Sequence, residues 1–269
     1  MQNKVVIITG ASSGIGLALA KEFAQRGSKL VLAARSEEKL KYLEKDFNQK
    51  GTETIGVTTD VSKEEDCKRL INKAVEKFGG IDILINNAGI SMRALFKDVD
   101  LNVLKQLMDV NFWGTVYCTK YALPHLLKSK GSVTGISSIA GFIGLPARTG
   151  YSASKYAMHG FLETLRVENL KTGLHVLIAA PGFTASNIRN TALSTDGSAQ
   201  GESPRNEDKM MSAEEVAIHV ANAIKKRKAT LILTFVEGKL TVWLKKWMPR
   251  LLEKLTYNHM AKEPNSPLL

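Results

Sequence analysis

The chain has 269 residues, 44% of them hydrophobic, and a formal charge of +11. That supports one sizeable core, and no repeat or linker divides the chain, so a single domain is expected. Cys67 and Cys118 are the only cysteines and show no disulfide or metal-ligand spacing, which suits a reducing compartment; with no leader pattern and no apolar run of about 18 residues, a cytoplasmic chain without a spanning segment is expected.

Residues 4–9 (KVVIIT) form a continuous apolar, β-branched run, expected as a strand buried on both faces. Gly10, Ser12, Ser13, Gly14, Ile15 and Gly16 follow at once, and a helical pattern covers 17–25. Strand, glycine turn and helix together cradle a pyrophosphate. The glycines admit the ligand to the backbone, and the helix start offers N–H groups and a positive dipole end. The spacing is G-x-x-x-G-x-G, not the general G-x-G-x-x-G, and a purely structural turn is the alternative. Residues 29–34 are the second expected strand. Ala34 stands where an acid would take a ribose 2′-hydroxyl, and Arg35 follows. An arginine there accommodates a 2′-phosphate, which favours NADP(H) over NAD(H). Otherwise Arg35 merely opens the next helix.

A helix over 37–50, a strand over 53–59 and a helix over 63–78 come next. Asp60 and Val61 close the third strand as candidate cofactor contacts, where the carboxylate can meet an adenine edge. The alternative for Asp60 is a helix cap, for which Ser62 competes. A fourth strand over 82–85 ends in Asn86, Asn87, Ala88 and Gly89. Alternating strands and helices imply an α/β, doubly wound parallel sheet. Such sheets bind ligands at the carboxyl ends of their strands, where these motifs fall.

A long helix is expected over 101–127. It carries Asn111 and Gly114, both locally costly in a helix, and such departures mark functional sites. The fifth strand, 132–137, ends at Ser138. Tyr151 and Lys155, four apart on a helix over 150–170, share one face. A free phenol titrates near pH 10. A neighbouring ammonium favours the phenolate and would bring it toward neutral pH for acid–base work. The bland alternative is a surface helix pair. The sixth strand, 174–180, runs into Pro181 and Gly182.

Residues 183–211 are rich in Ser, Thr, Asn, Asp and Gly. They read as a mobile substrate-covering loop with a short helix near 187–193. A helix over 212–226 and a seventh strand over 230–235 follow. Residues 225–262 hold ten Lys or Arg against two acids. Within them Leu240, Trp243, Leu244, Trp247, Met248, Leu251, Leu252 and Leu255 make one apolar stripe, with Pro249 starting a second short helix. Lys245, Lys246, Arg250 and Lys254 take the other positions. The segment 237–257 suits either a helix lying on an anionic membrane surface or a patch packed on the substrate mouth or another subunit.

The motif set Thr9-Gly-Ala-Ser-Ser-Gly-Ile-Gly16, Asn86-Asn-Ala-Gly89, Asn111, Ser138, Tyr151-x-x-x-Lys155 and Pro181-Gly182 resembles the short-chain dehydrogenase/reductase family over roughly residues 4–236. The resemblance implies a Rossmann-type three-layer sandwich with a seven-stranded parallel sheet. It implies a catalytic domain over 1–236 and leaves 237–269 as a basic amphipathic extension. It implies catalysis by Asn111, Ser138, Tyr151 and Lys155. Lys155 would lower the Tyr151 pKa and grip the nicotinamide ribose, and Asn111 would hold a relay water. Ser12 or Ser13 would help Arg35 hold the 2′-phosphate of NADP(H), and Ser186, in the usual Thr place, would meet the nicotinamide amide. No metal is implied. The reaction would interconvert a carbonyl and a secondary alcohol on a small molecule, with a lipid-like ketone as one option. Family members form dimers or tetramers through the helices holding Asn111 and Tyr151. A non-enzymatic NADPH sensor or scaffold on this fold is the competing reading. No nucleic-acid motif is recognised, so no nucleic-acid partner is expected.

Overall fold

In the computed structural model, which describes residues 1–184, 188–201 and 210–268, the apolar runs become one sheet of seven parallel strands. They are β1 (Val5–Thr9), β2 (Lys29–Ala34), β3 (Thr54–Thr58), β4 (Ile83–Asn86), β5 (Ser132–Ile136), β6 (His175–Ala180) and β7 (Thr230–Ile232), in the order β3-β2-β1-β4-β5-β6-β7. Between them run α1 (Gly14–Gln25), α2 (Glu37–Gln49), α3 (Glu64–Phe78), α4 (Leu101–Leu107), α5 (Gly114–Ser129), α6 (Thr149–Glu168) and α7 (Ala213–Lys225). Two further helices, α8 (Thr241–Trp247) and α9 (Pro249–Ala261), follow the last strand.

Successive residues of each strand point to opposite faces, and both faces are covered. Val6, Ile8, Leu30, Leu32, Leu177 and Ala179 pack with α1, α2 and α7. Val5, Ile7, Val31, Ala33, Val176 and Ile178 pack with α3, α5 and α6. This is the Rossmann-type three-layer sandwich expected from the sequence. Sheet growth reverses between β1 and β4, which opens a crevice at their carboxyl ends. Gly10 and Asn87 stand at its two sides. A groove of about 620 Å³ at the opposite end of the sheet is lined by Lys29, Phe78, His125 and Lys128 and holds none of the motif residues.

Three local expectations need correction. The helix expected over 101–127 is not continuous: a π-helical turn, Met108–Trp113, separates α4 from α5. Asn111 turns its side chain inward there, and Gly114 lies so close to Val61 that an added Cβ would come within 2.8 Å of it. The wider turn accommodates both. Secondly, β7 stops at Ile232. Thr234 takes a left-handed backbone (φ 66°), and a second π-helical turn, Phe235–Leu240, begins. Thirdly, no helix forms over the described part of 187–193. Residues 188–191 form turns, and Leu193 bridges to Met92 and to Ala199. Backbone hydrogen bonds to residues 91–100 hold this stretch instead.

The tail divides its apolar stripe. Leu252 is buried against Ile139, Ile143 and Ala180, with Leu244, Phe142 and Leu145 partly buried around it. Trp243, Trp247, Met248, Leu251 and Leu255 stay exposed. Pro249 opens α9, where its missing N–H has no helical partner to lose. Packing on Ile139, Ile143 and Ala180 therefore accounts for one side of the stripe and not the other. Among the described residues no helix is long and apolar enough to cross a membrane.

Candidate active site

The glycine turn is shaped by what it lacks. Gly10 and Gly14 have positive φ (66° and 52°), where a side chain is strained. An added Cβ at Gly16 would lie 2.1 Å from the Gly10 carbonyl oxygen and 2.6 Å from Asn87 Nδ2. Ser13 sits at the helix N-cap in extended conformation, and its side chain makes no capping bond. The first N–H groups of α1 are therefore not taken by a cap, which suits a phosphate.

Asn87 and Ala88 join the two sides of the crevice. Their backbone N–H groups both donate to the Thr9 hydroxyl at 3.0 Å, and Asn87 Nδ2 donates to the Thr9 carbonyl at 2.8 Å. Arg35 does not cap α2: the Ser36 hydroxyl does, accepting from the Lys39 N–H at 3.4 Å. Arg35 is exposed beside the end of β2, with no ion pair among the described residues. Asp60 does not cap α3 either, since Lys63 holds that place. One Asp60 oxygen accepts from the Ser62 N–H and hydroxyl, at 3.1 and 2.7 Å. Val61 is buried in the core against Gly114. Pro181 is buried at the end of β6, and Gly182 fits against Thr234, whose Oγ1 an added Cβ would meet at 2.8 Å. Ser186 lies outside the described residues.

The four expected catalytic residues converge beyond β4 and β5. Ser138 follows β5; its side chain accepts from the Ala140 N–H at 3.2 Å and faces the Tyr151 phenol closely enough to favour the phenolate. One turn along α6, the Lys155 ammonium is buried, donates to the Ile136 carbonyl at 3.0 Å and lies 5.8 Å from the Tyr151 ring centre. Asn111 is fully buried. Its Oδ1 accepts from the Ile90 N–H at 2.9 Å, and its Nδ2 donates to the Ile90 carbonyl and the Ser154 hydroxyl at 3.0 and 2.9 Å. Gly89 fills the gap between them: an added Cβ would stand 3.1 Å from Asn111 Oδ1 and 3.5 Å from Lys155 Nζ.

The electrostatics differ from the sequence expectation. Burial raises the Tyr151 phenol above its ordinary value, and the Ser138 hydroxyl and the Arg148 charge pull it partly back. Lys155 is not what acidifies it here, because its ammonium points to the Ile136 carbonyl under the ring. Burial also pushes Lys155 down, to about 8. Sequence reasoning placed residues 142–148 among those that set the substrate but did not foresee that Arg148, three residues before Tyr151, acts on its phenol, and it missed His159. The imidazole Nε2 lies 2.6 Å from the Ser137 hydroxyl, and the ring packs on Phe142. Its place four residues after Lys155, on the same helical face, was the available signal.

Burial and the nearby Lys155 charge depress His159 from 6.5 to about 4. As pH falls, the unfolded chain takes up this proton first, so stability present above pH 6.5 is lost progressively down to pH 4. The full loss is up to about 3 kcal/mol. His159→Gln should therefore reduce the drop in urea midpoint between pH 7 and pH 4.5. An unchanged drop would show that this imidazole is not a stability determinant there.

The model of the short chain dehydrogenase family matches residues 4–197. The chain is 35% identical to dehydrogenase/reductase SDR family member 7B of Mus musculus, over 99% of this chain and 84% of that protein. It is 45% identical to 11-beta-hydroxysteroid dehydrogenase-like 2 of Arabidopsis thaliana, over 69% of this chain, and spans only 60% of that relative's length. A short chain dehydrogenase/reductase from Burkholderia phymatum in complex with NAD superposes with a TM-score of 0.82 at 28% identity, covering 93% of this chain and 95% of that one. An alcohol dehydrogenase from Thermococcus sibiricus complexed with 5-hydroxy-NADP gives 0.76 at 26% identity, covering 86% and 94%. Both neighbours carry a nicotinamide dinucleotide or its analogue, on the sheet architecture described above. Fold, crevice and similarity agree: the chain belongs to the short chain dehydrogenase family of oxidoreductases.

Proposed function

We propose that this protein is an NADP(H)-dependent oxidoreductase that interconverts a carbonyl and a secondary alcohol, with Tyr151 as the general acid and base. The observation that carries the reading is the Tyr151 phenol beside the Ser138 hydroxyl, with the buried Lys155 ammonium 5.8 Å from the phenol ring centre, at the carboxyl edge of the sheet. Gly10, Ser12, Ser13, Gly14, Ile15 and Gly16 with the uncapped start of α1 fit a pyrophosphate, and exposed Arg35 fits a 2′-phosphate.

When bound, NADPH supplies the hydride. The Ser138 and Tyr151 hydroxyls receive the substrate oxygen, on which negative charge develops. A phenol raised by burial is protonated at neutral pH, as a donor to that oxygen must be. The Ser138 hydroxyl and the Arg148 charge both favour the phenolate left behind. Lys155, cationic below about pH 8, would hold the nicotinamide ribose and supply charge below the ring. The carboxamide of Asn111 is committed to Ile90 and Ser154, so Asn111 first positions the residues around Lys155; a relay water there is part of the same proposal. A pure NADPH sensor would need no hydroxyl, phenol and ammonium brought together.

Apolar side chains surround the mouth: Met92 and Leu193 on one side, Ile139, Ile143 and Leu145 on the other. This favours a hydrophobic substrate, and the relatives named for hydroxysteroids accord with that. The outward Trp243, Trp247, Met248, Leu251 and Leu255 lie among Lys245, Lys246, Arg250 and Lys254, which favours docking on an anionic membrane surface from which a lipid-like substrate is drawn.

Tyr151→Phe should lower kcat by at least about 100-fold while NADPH binding, read by fluorescence titration, is retained. Turnover near the wild-type rate would end the assignment. Arg35→Ala should raise the KM for NADPH by about 10- to 100-fold and leave that for NADH little changed, since one charge-assisted bond is lost. Equal effects on both dinucleotides would remove the 2′-phosphate role. Sedimentation with phosphatidylserine-containing vesicles should carry the protein down, and Trp243→Ser with Trp247→Ser should leave it in solution. No sedimentation of the wild type would exclude the membrane contact.

A further inference from the structure

Helix α6 and the end of β5 meet at three points. Tyr151, Lys155 and His159 recur every four residues along one face of the helix, while Ile136, Ser137 and Ser138 run consecutively from the last residue of the strand. Tyr151 faces the Ser138 hydroxyl, and Lys155 donates to the Ile136 carbonyl at 3.0 Å. The proposed chemistry uses those two contacts. It leaves the third unused, although His159 Nε2 lies 2.6 Å from the Ser137 hydroxyl and both side chains are buried.

That contact abuts the turn that carries Ser138. The Ser137 N–H donates to the Ala179 carbonyl at 2.7 Å, which ties the start of the turn to β6. Ser138 is extended and caps the short 3-10 turn Ile139–Gly141, whose last N–H donates back to the Ser138 carbonyl at 3.0 Å. An added Cβ at Gly141 would stand 2.5 Å from His159 Nε2 and 2.8 Å from Ser137 Oγ. One edge of the imidazole therefore adjoins both ends of the turn, with Ser138 between them. The ring also packs edge-on against Phe142, with centroids 4.6 Å apart, and the Phe142 carbonyl accepts from the Tyr156 hydroxyl on α6. Ring, turn and helix form one close-packed unit, so a shift of the ring moves the backbone that aims Ser138.

The residue type fits that task. Burial and the Lys155 charge keep the imidazole uncharged at neutral pH. It bonds to Ser137 without setting a second cation beside Lys155. A lysine or arginine would add that charge, and a leucine would take the imidazole partner from the buried Ser137 hydroxyl.

We propose that His159 is a positioning residue for the reaction: through the Ser137 hydroxyl and the bare Cα of Gly141 it fixes the turn that aims the Ser138 hydroxyl at the substrate oxygen. This deepens the reading of the preceding section and rests on it. His159 touches neither substrate nor dinucleotide in this role, so its removal should cost turnover and spare cofactor affinity.

The test is a double-mutant cycle between His159→Leu and Ser138→Ala. Single-turnover rates with NADPH are read on a panel of decanal, 2-decanone and cyclohexanone, and NADPH affinity by fluorescence titration. His159→Leu should slow turnover by about 10- to 100-fold, the scale of a misaimed catalytic group, and leave the NADPH Kd within about twofold. In the Ser138→Ala background the same substitution should cost less than about threefold, because the group it aims is already gone. His159→Gln, whose amide can still meet Ser137, should recover most of the rate. Ser137→Ala, which removes a single oxygen, carries the same cycle if His159→Leu does not fold. A wild-type rate in His159→Leu, a loss that multiplies in full with that of Ser138→Ala, or a loss confined to NADPH affinity would each overturn the positioning role while wild-type turnover leaves the reductase reading standing. A wild type that reduces no member of the panel would end that reading and this inference with it.

Discussion

A buried ammonium is the constraint around which this molecule is arranged. Lys155 is 3% exposed, and a charge withdrawn from water must find acceptors or lose its proton. The Ile136 carbonyl, at the last residue of β5, gives it one, and the cost of burial still shows in a pKa near 8. The surroundings follow from making room for that group. Gly89 leaves out a Cβ that would crowd it. The π-helical turn brings Asn111 inward, where it ties Ile90 to Ser154, the neighbour of Lys155. His159 is held neutral partly because Lys155 is charged.

That arrangement divides labour in a way a simple phenol–ammonium pair does not. Had Lys155 pointed at the phenol, it would have favoured phenolate directly. Instead the phenol is raised by burial, and the groups that ease its ionisation are Ser138 and Arg148. In the proposed mechanism, donor and stabilisers thus come from three segments: α6, the end of β5, and the turn before α6. A proton donor needs both properties, to be protonated at rest and to be supported as it ionises.

Much of this was legible in the chain. Continuous β-branched runs such as residues 4–9 can only be strands covered on both faces, and glycine, asparagine and serine at their carboxyl ends marked the crevice. The losses have physical causes. A π-helical turn of six residues differs from an α-helical one by less than a residue per turn, too little for side-chain periodicity to reveal around Asn111. Thr234 was expected in a strand because threonine favours strands, yet packing against Gly182 and Gly238 puts it in a left-handed conformation. The stripe on α8 and α9 was visible, but periodicity gives a face and not its neighbour, and here Leu252 and Trp247 of one stripe meet opposite environments. The Arg93–Glu263 pairing joins residues 170 apart in sequence, each unremarkable among many charges.

The two halves of the crevice are built of different material. On the proposed dinucleotide side the available groups are backbone N–H groups, missing Cβ atoms and short side chains within a few residues of a strand end, so a short motif specifies them. On the proposed substrate side the groups come from residues 91–95, 142–148 and the tail, which meet only in the folded chain. A local motif can fix the first half because strand and turn geometry do most of the positioning. The second half depends on where distant segments pack, so its chemistry can change by substituting a few side chains without disturbing the sheet. Arg93, Arg148 and Glu263 lie in that half, and Arg148 places its charge near the Tyr151 phenol.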